Sequence, residues 1–183
     1  MALDPATRKS IADLVRRSGY ERREEPFQLT SGGWSHDYVD GKYAVATGPA
    51  LRQVCEAVVE LIDAPFDSVG GPTMGADALA HGVAMVAGCT WFSVRKEPKG
   101  HGRGAWVEGA RLGPGDRVVM VEDVVSTGAS LLRAAEKVTD LGASVVAASA
   151  LLDRSPQVAE RFAAAGVPWQ PLLTWADLGI EPL

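Results

Sequence analysis

The chain has 183 residues, 46% of them hydrophobic and 22% charged, with a formal net charge of −5 and an isoelectric point near 5.2. That length supports one domain with a sizeable core. The acidic balance excludes a general binder of nucleic acid or of anionic membrane surfaces, both of which need broad positive potential.

The elements follow in chain order. A first helix is predicted from about Pro5 to Ser18, with Ile11, Leu14 and Val15 on one face and Gly19 as its stop. Phe27 to Leu29 and Tyr38 to Asp40 read as short strands around the turn S-G-G-W-S, and Pro49 to Ile62 as a second helix. From there strands and helices alternate: strands at Ser68 to Gly70, Thr90 to Val94, Val118 to Val121 and Val145 to Leu152, helices near 76–87, 129–141 and 156–165. That alternation predicts an α/β fold with a central, mostly parallel sheet flanked by helices. A single domain over 1–183 is expected, with an N-terminal helix and hood over about 1–45 and the parallel-sheet core over about 46–183. Ligands of such sheets bind beyond the carboxyl ends of the strands.

Cys55 and Cys89 lack metal-ligand spacing and lie in apolar-periodic stretches, so two buried free thiols are expected, which suits a reducing cytoplasm. The N-terminal stretch has no long apolar run, and His81 or Ser149 interrupts the longest apolar stretches. Neither a signal peptide nor a membrane span is expected.

The most informative segment is V-V-M-V-E-D-V-V-S-T-G-A-S, residues 118–130. Four consecutive apolar residues suit a strand buried on both faces, which places Glu122 and Asp123 at its carboxyl end. Ser126, Thr127, Gly128 and Ser130 follow, where a helix begins. Free backbone N–H groups and the helix dipole favour an anion there, so the loop fits a phosphate. Carboxylates beside a phosphate must face something else, such as a cation or the vicinal hydroxyls of a sugar. A sugar phosphate satisfies both requirements.

Between Val94 and Arg117 lies a long glycine-rich loop that places Arg95, Lys96, Lys99 and Arg103 against the single carboxylate Glu97 within residues 95–104. Concentrated cations in an acidic protein point to an anionic substrate. The turn G-G-P-T-M-G before the helix near 76 is a second candidate anion loop. Asp77 reads as a favourable first-turn carboxylate, and His36 and Lys42 as solvated surface residues.

The 118–130 segment resembles the phosphoribosyl-pyrophosphate (PRPP) signature of the type I phosphoribosyltransferases. The resemblance implies that fold, with Glu122 and Asp123 on the ribose hydroxyls and Val124, Val125, Ser126, Thr127, Gly128, Ala129 and Ser130 around the 5′-phosphate. Arg95, Lys96, Lys99, His101 and Gly102 reproduce the pattern R-K-x-x-K-x-H-G of the orotate phosphoribosyltransferases, followed by Glu108 and Gly109. This likeness implies a loop that closes over PRPP, often in the neighbouring subunit, with Arg95, Lys96, Lys99 and His101 as catalytic residues beside the departing pyrophosphate. Thr73, Met74 and Gly75 resemble the family's pyrophosphate loop. Phe27, Leu29, Ser31, Gly32, Ser35, Tyr38 and Asp40 resemble its base-covering segment, and Arg154 falls where the family holds the orotate carboxylate.

The resemblance thus implies transfer of the phosphoribosyl group from PRPP to orotate, with Ser31, Gly32, Tyr38, Ser126 and Arg154 on the orotate side, in pyrimidine (UMP) biosynthesis. It also implies a cytoplasmic homodimer that shares the loop over 95–105 and binds neither nucleic acid nor membrane. Mg²⁺ is the implied cofactor, carried mainly by PRPP, with no dedicated protein ligand and Glu122 and Asp123 as the carboxylates open to it. Thr30 and Gly33-Trp34 depart from the family's basic residues. They leave one alternative, a phosphoribosyltransferase for another carboxylated heteroaromatic base; a second, from another class, is a PRPP-sensing protein that keeps the fold without turnover.

Overall fold

The computed structural model describes residues 2–28, 32–98 and 106–183. Helix α1 (Pro5–Ser18) is capped by the Asp4 carboxylate, which accepts from the Thr7 N–H, and has proline in its first turn. Strands β1 (Tyr20–Gln28) and β2 (Trp34–Val39) form an antiparallel hairpin. Both differ from the sequence expectation. β1 starts seven residues earlier than Phe27 and runs through E-R-R-E-E, because both faces of that stretch meet solvent and no apolar alternation marks it. β2 ends at Val39 because Asp40 caps the short helix α2 (Gly41–Ala44), accepting from the Lys42 N–H. Leu29 to Ser31 lie outside the described residues.

The core is a six-stranded sheet among the described residues, in the order β5-β4-β3-β6-β7-β8. Its strands are β3 (Ser68–Pro72), β4 (Thr90–Val94), β5 (Val107–Gly109), β6 (Arg117–Val125), β7 (Ser144–Asp153) and β8 (Leu173–Thr174). All pairings are parallel except β4 with β5. β5 was not foreseen: it lies inside the expected 94–117 loop and folds back on β4, Val107 opposite Val94.

Helices α3 (Gly48–Leu61) and α4 (Asp77–Ala87) connect the first strands, and α5 (Ala129–Thr139), α6 (Gln157–Ala164) and α7 (Trp175–Leu178) follow. Successive β6 residues feed two cores. Val119 and Val121 join one with α1, α3 and α4, while Val118 and Met120 join the other with Leu131, Val138, Val158 and Phe162 of α5 and α6. Burial on both faces is why this strand reads as an unbroken apolar run.

β6 also extends beyond the expected end at Val121. It stays paired with β7 through Val125, opposite Asp153, whereas its pairing with β3 ends at Met120 opposite Gly70. Glu122 and Asp123 therefore lie within the strand, at the point where β3 leaves it. Cys55 is buried, and burial pushes its thiol up to about 12. Cys89 is only half-buried, contrary to expectation, because it follows the C-terminal Gly88 of α4 at the surface.

Candidate active site

The sheet reverses its order between β3 and β6, since β3 connects onward to β4 on one side while β6 connects to β7 on the other. The crevice beyond the carboxyl ends of two such strands is the natural ligand site of the architecture. β3 supplies Thr73, Met74 and Gly75, joined by a cis peptide between Thr73 and Met74. β6 supplies the acidic pair. A Cβ on Gly75 would stand 2.5 Å from both Asp123 Oδ1 and Glu122 Oε1. The loop after β3 therefore meets the acidic pair of β6 at a place where any side chain would displace the two carboxylates.

Two adjoining cavities open here and share Glu122, Val124, Ser130 and Arg133. The first, about 410 Å³, is walled by residues 124–131. Gly128 begins α5 with φ +75°, and no side chain caps the helix from that position. The start of α5 thus borders the cavity with no side chain capping it from Gly128, the setting that an anion site requires. The Arg161 guanidinium braces the loop by donating to the Thr127 carbonyl at 2.9 Å. Val125 lines this cavity while its side chain stays in the core.

The second cavity, about 710 Å³, is bounded by Thr73 to Gly75 on one side and by Arg95, Lys96 and Trp106 on another. Arg95 is anchored by Glu108, Nη1 to Oε1 3.4 Å, and its N–H donates to the Trp106 carbonyl. Lys137 of α5 lies over the Trp106 ring at 4.8 Å. The cavity thus sets the acidic residues Glu122 and Asp123 on one side and the cations Arg95 and Lys96 on another. Lys99 and His101 lie outside the described residues, as does Ser31.

Burial, then the Asp123 charge, pushes Glu122 up to about 9, so it holds a proton at neutral pH in the ligand-free chain. The Asp123 carboxylate accepts from the Val124 N–H at 2.7 Å. Among the described residues no group of three or more His, Cys, Asp or Glu side chains is placed to hold a metal ion. Such a donor set suits an ion that brings most of its oxygen ligands with a phosphorylated substrate.

In the hairpin, the Tyr38 ring meets Phe27 edge-on, with the Arg23 guanidinium over both rings. Gly32 lies at the exposed tip with φ +92°. Arg154, at the end of β7, is buried beneath the hairpin and donates to the Asp37 carbonyl at 2.9 Å and to Ser35 Oγ at 3.5 Å. Among the described residues its Nε has no partner. It does not pair with its neighbour Asp153, which accepts from the Ser155 N–H and from Trp169 Nε1.

Lys42 is exposed, as the sequence predicts, and its ammonium also bridges Asp40 Oδ1 at 2.9 Å and Asp123 Oδ2 at 3.5 Å. Sequence reasoning misses this bridge, and it misses Arg133, which lines both cavities and donates to Ser130 Oγ at 3.4 Å. Neither has a local signal, since each looks like an ordinary surface cation. Asp77 does sit in the first turn of α4, and it also accepts from the Ser93 hydroxyl at 2.8 Å. His36 is half-buried rather than solvated, with Nδ1 3.0 Å from the Arg23 carbonyl across the hairpin.

Residues 45–165 match the phosphoribosyl transferase domain family. The chain is 35% identical to the orotate phosphoribosyltransferase of Aquifex aeolicus, over 93% of this chain and 97% of that protein. The chain belongs to the orotate phosphoribosyltransferase family. A crystal structure of a family member, the Mycobacterium tuberculosis H37Rv orotate phosphoribosyltransferase in complex with Fe(III) dicitrate, superposes with a TM-score of 0.83 at 35% identity, covering 95% of this chain and 99% of that one. The same enzyme in complex with PRPP superposes with a TM-score of 0.79 at 34% identity, covering 95% and 99%. The orotate phosphoribosyltransferase family thus extends across both the hairpin and the sheet of this chain.

Proposed function

We propose that the chain transfers the 5-phosphoribosyl group of PRPP to orotate, giving orotidine 5′-monophosphate and pyrophosphate. The observation that carries this reading is the meeting of Gly75, the acidic pair and the α5 loop at the sheet's switch point, around two adjoining cavities. Together they suit a ligand with phosphate at both ends and hydroxyls between them.

In this reading the 124–130 loop holds the 5′-phosphate, and Glu122 and Asp123 face the ribose hydroxyls. Thr73, Met74 and Gly75 then face the pyrophosphate. Asp123 accepts from a hydroxyl, while protonated Glu122 both donates and accepts. Orotate N1 attacks C1 of the ribose as the bond to pyrophosphate breaks, which builds positive charge on the ribose and negative charge on the leaving group. Arg95 and Lys96, preplaced across the cavity, stabilise the leaving group, and Lys99 and His101 extend that charge. The protein forms no covalent bond and contributes orientation and exclusion of water. Arg154 is the bidentate donor assigned to the orotate carboxylate, assisted by Ser31, Gly32, Tyr38 and Ser126.

Mg²⁺ belongs to the proposal as an ion carried chiefly by PRPP oxygens, with Glu122 and Asp123 the nearest carboxylates. When bound, it neutralises phosphate charge. A homodimer sharing the loop over 95–105 is supported by exposed apolar side chains at the end of α4 and the start of β4, where Met85 is 82% and Trp91 41% exposed. Two free thiols support a reducing, cytoplasmic setting. No helix of the described residues is long and apolar enough to cross a membrane.

The test is loss of orotate absorbance with PRPP and Mg²⁺, in the intact protein and in Lys99→Ala. Rapid loss that the substitution suppresses is expected. Turnover of another carboxylated base without orotate turnover would reassign the substrate. PRPP binding without pyrophosphate release from any base would leave a sensor.

A further inference from the structure

We propose that Lys42 is a positioning residue that joins the base-side hairpin to the ribose-side carboxylate Asp123. The inference rests on the assignment of Asp123 to the ribose made above. Three contacts carry it. The Lys42 ammonium lies between Asp40 Oδ1, 2.9 Å away, and Asp123 Oδ2, 3.5 Å away. The Asp123 carboxylate is therefore held on both oxygens, since Oδ1 accepts from the Val124 N–H. The backbone of Gly41 also packs against Asp123, because a Cβ there would stand 2.7 Å from Asp123 Cβ.

The Asp123 side chain is 12% exposed and that of Lys42 is 53% exposed. The ammonium thus stays hydrated on one side while pointing a fixed charge at an enclosed carboxylate, an arrangement suited to orienting more than to bulk stability. Asp40 is the link to the hairpin. It ends β2, whose Tyr38 hydroxyl approaches Asp40 Oδ2 at 3.5 Å and whose Asp37 carbonyl accepts from Arg154. A shift of the hairpin over the base is thereby transmitted through Asp40 and Lys42 to the group that meets the ribose. Without the ammonium, Asp40 and Asp123 lose the cation that holds them in register, and Asp123 turns away from the hydroxyl direction.

Two variants of the full chain test this, Lys42→Met and Lys42→Arg, with PRPP affinity measured by calorimetry and turnover by orotate loss. Lys42→Met is expected to weaken PRPP about tenfold in both Kd and KM, with orotate KM changed less than about twofold and the melting temperature nearly unchanged. Lys42→Arg should recover most of the loss, because a guanidinium can span both carboxylates. In an Asp123→Asn background the same Lys42→Met change should cost less than about twofold, since the carboxylate charge that it orients is already gone. PRPP affinity unchanged in Lys42→Met would overturn the proposal. So would equal losses for PRPP and orotate that persist beside Asp123→Asn, which would mark a general effect on folding. If Lys42→Met does not fold, Lys42→Gln replaces it under the same criteria. Failure of the wild-type chain to consume orotate would overturn the substrate assignment alone, because PRPP calorimetry still reads the Lys42 contact.

Discussion

Gly75 approaches Asp123 so closely that a Cβ on the glycine would stand 2.5 Å from Asp123 Oδ1. The contact joins the loop after β3 to the interior of β6, and it leaves the carboxylates beside a bare backbone. Gly75→Ala must displace the Glu122 and Asp123 carboxylates or the loop that carries the new methyl group. We expect PRPP KM to rise on the order of 10–100-fold, as misplacement of about 1 Å does in other enzymes, with the fold retained. Steady-state kinetics beside a thermal melt separates the two effects; an unchanged KM would remove Gly75 from the site.

The proton on Glu122 has a consequence for stability. Its folded-state value is raised from 4.5 to about 9, so the folded chain keeps a proton that the unfolded chain releases. The stability that this group contributes is therefore complete below about 4.5 and is lost as pH rises toward about 9. Glu122→Gln cannot ionise. It should match the wild type in urea unfolding at the acidic end of that window and exceed it at the alkaline end, without PRPP or divalent cations. Equal stability at both ends would show that Glu122 is ionised in the fold.

Gly128 has φ +75°, and a Cβ on it would stand 2.8 Å from the fully buried Phe162 ring. Gly128→Ala combines a left-handed backbone with a clash against the core. A loss of about 1–3 kcal/mol in urea unfolding is expected, together with weaker PRPP binding, because this residue also lines the cavity proposed for the 5′-phosphate. Full stability in the variant would contradict the backbone conformation described for the loop.

Arg154 is expected to separate the two substrates. Arg154→Lys keeps the charge and loses the planar fork. Orotate KM should rise about tenfold, while PRPP KM should change little because Arg154 lines neither cavity. A rise in PRPP KM alone would move Arg154 from the base side to a purely structural role under the hairpin.

Much of this arrangement was legible in the sequence because its signals are short-range. Four apolar residues at 118–121 announce a strand buried on both faces, and apolar spacing from Leu131 to Val138 announces α5. The acidic pair, the hydroxyls and Gly128 lie within one segment. Backbone amides and a helix N-terminus make a phosphate loop almost wherever such residues follow such a strand. The charged first half of β1 left no such trace, since a hairpin strand exposed on both faces has no periodicity to read.

The sequence by itself thus determined the α/β alternation, the order of the loops and the chemistry each carries. The tertiary structure decided which of them meet. The end of β3 pairing at Met120 opens the crevice at Glu122, and only the sheet order sets Gly75 against that pair. Arg154 lies 117 residues from the Asp37 carbonyl it reaches, and Lys42 becomes a partner of Asp123 only when the hairpin folds over β6. The physical reason is range: propensity and periodicity act over a few residues, whereas burial and charge pairing act between whatever the fold brings within a few ångströms.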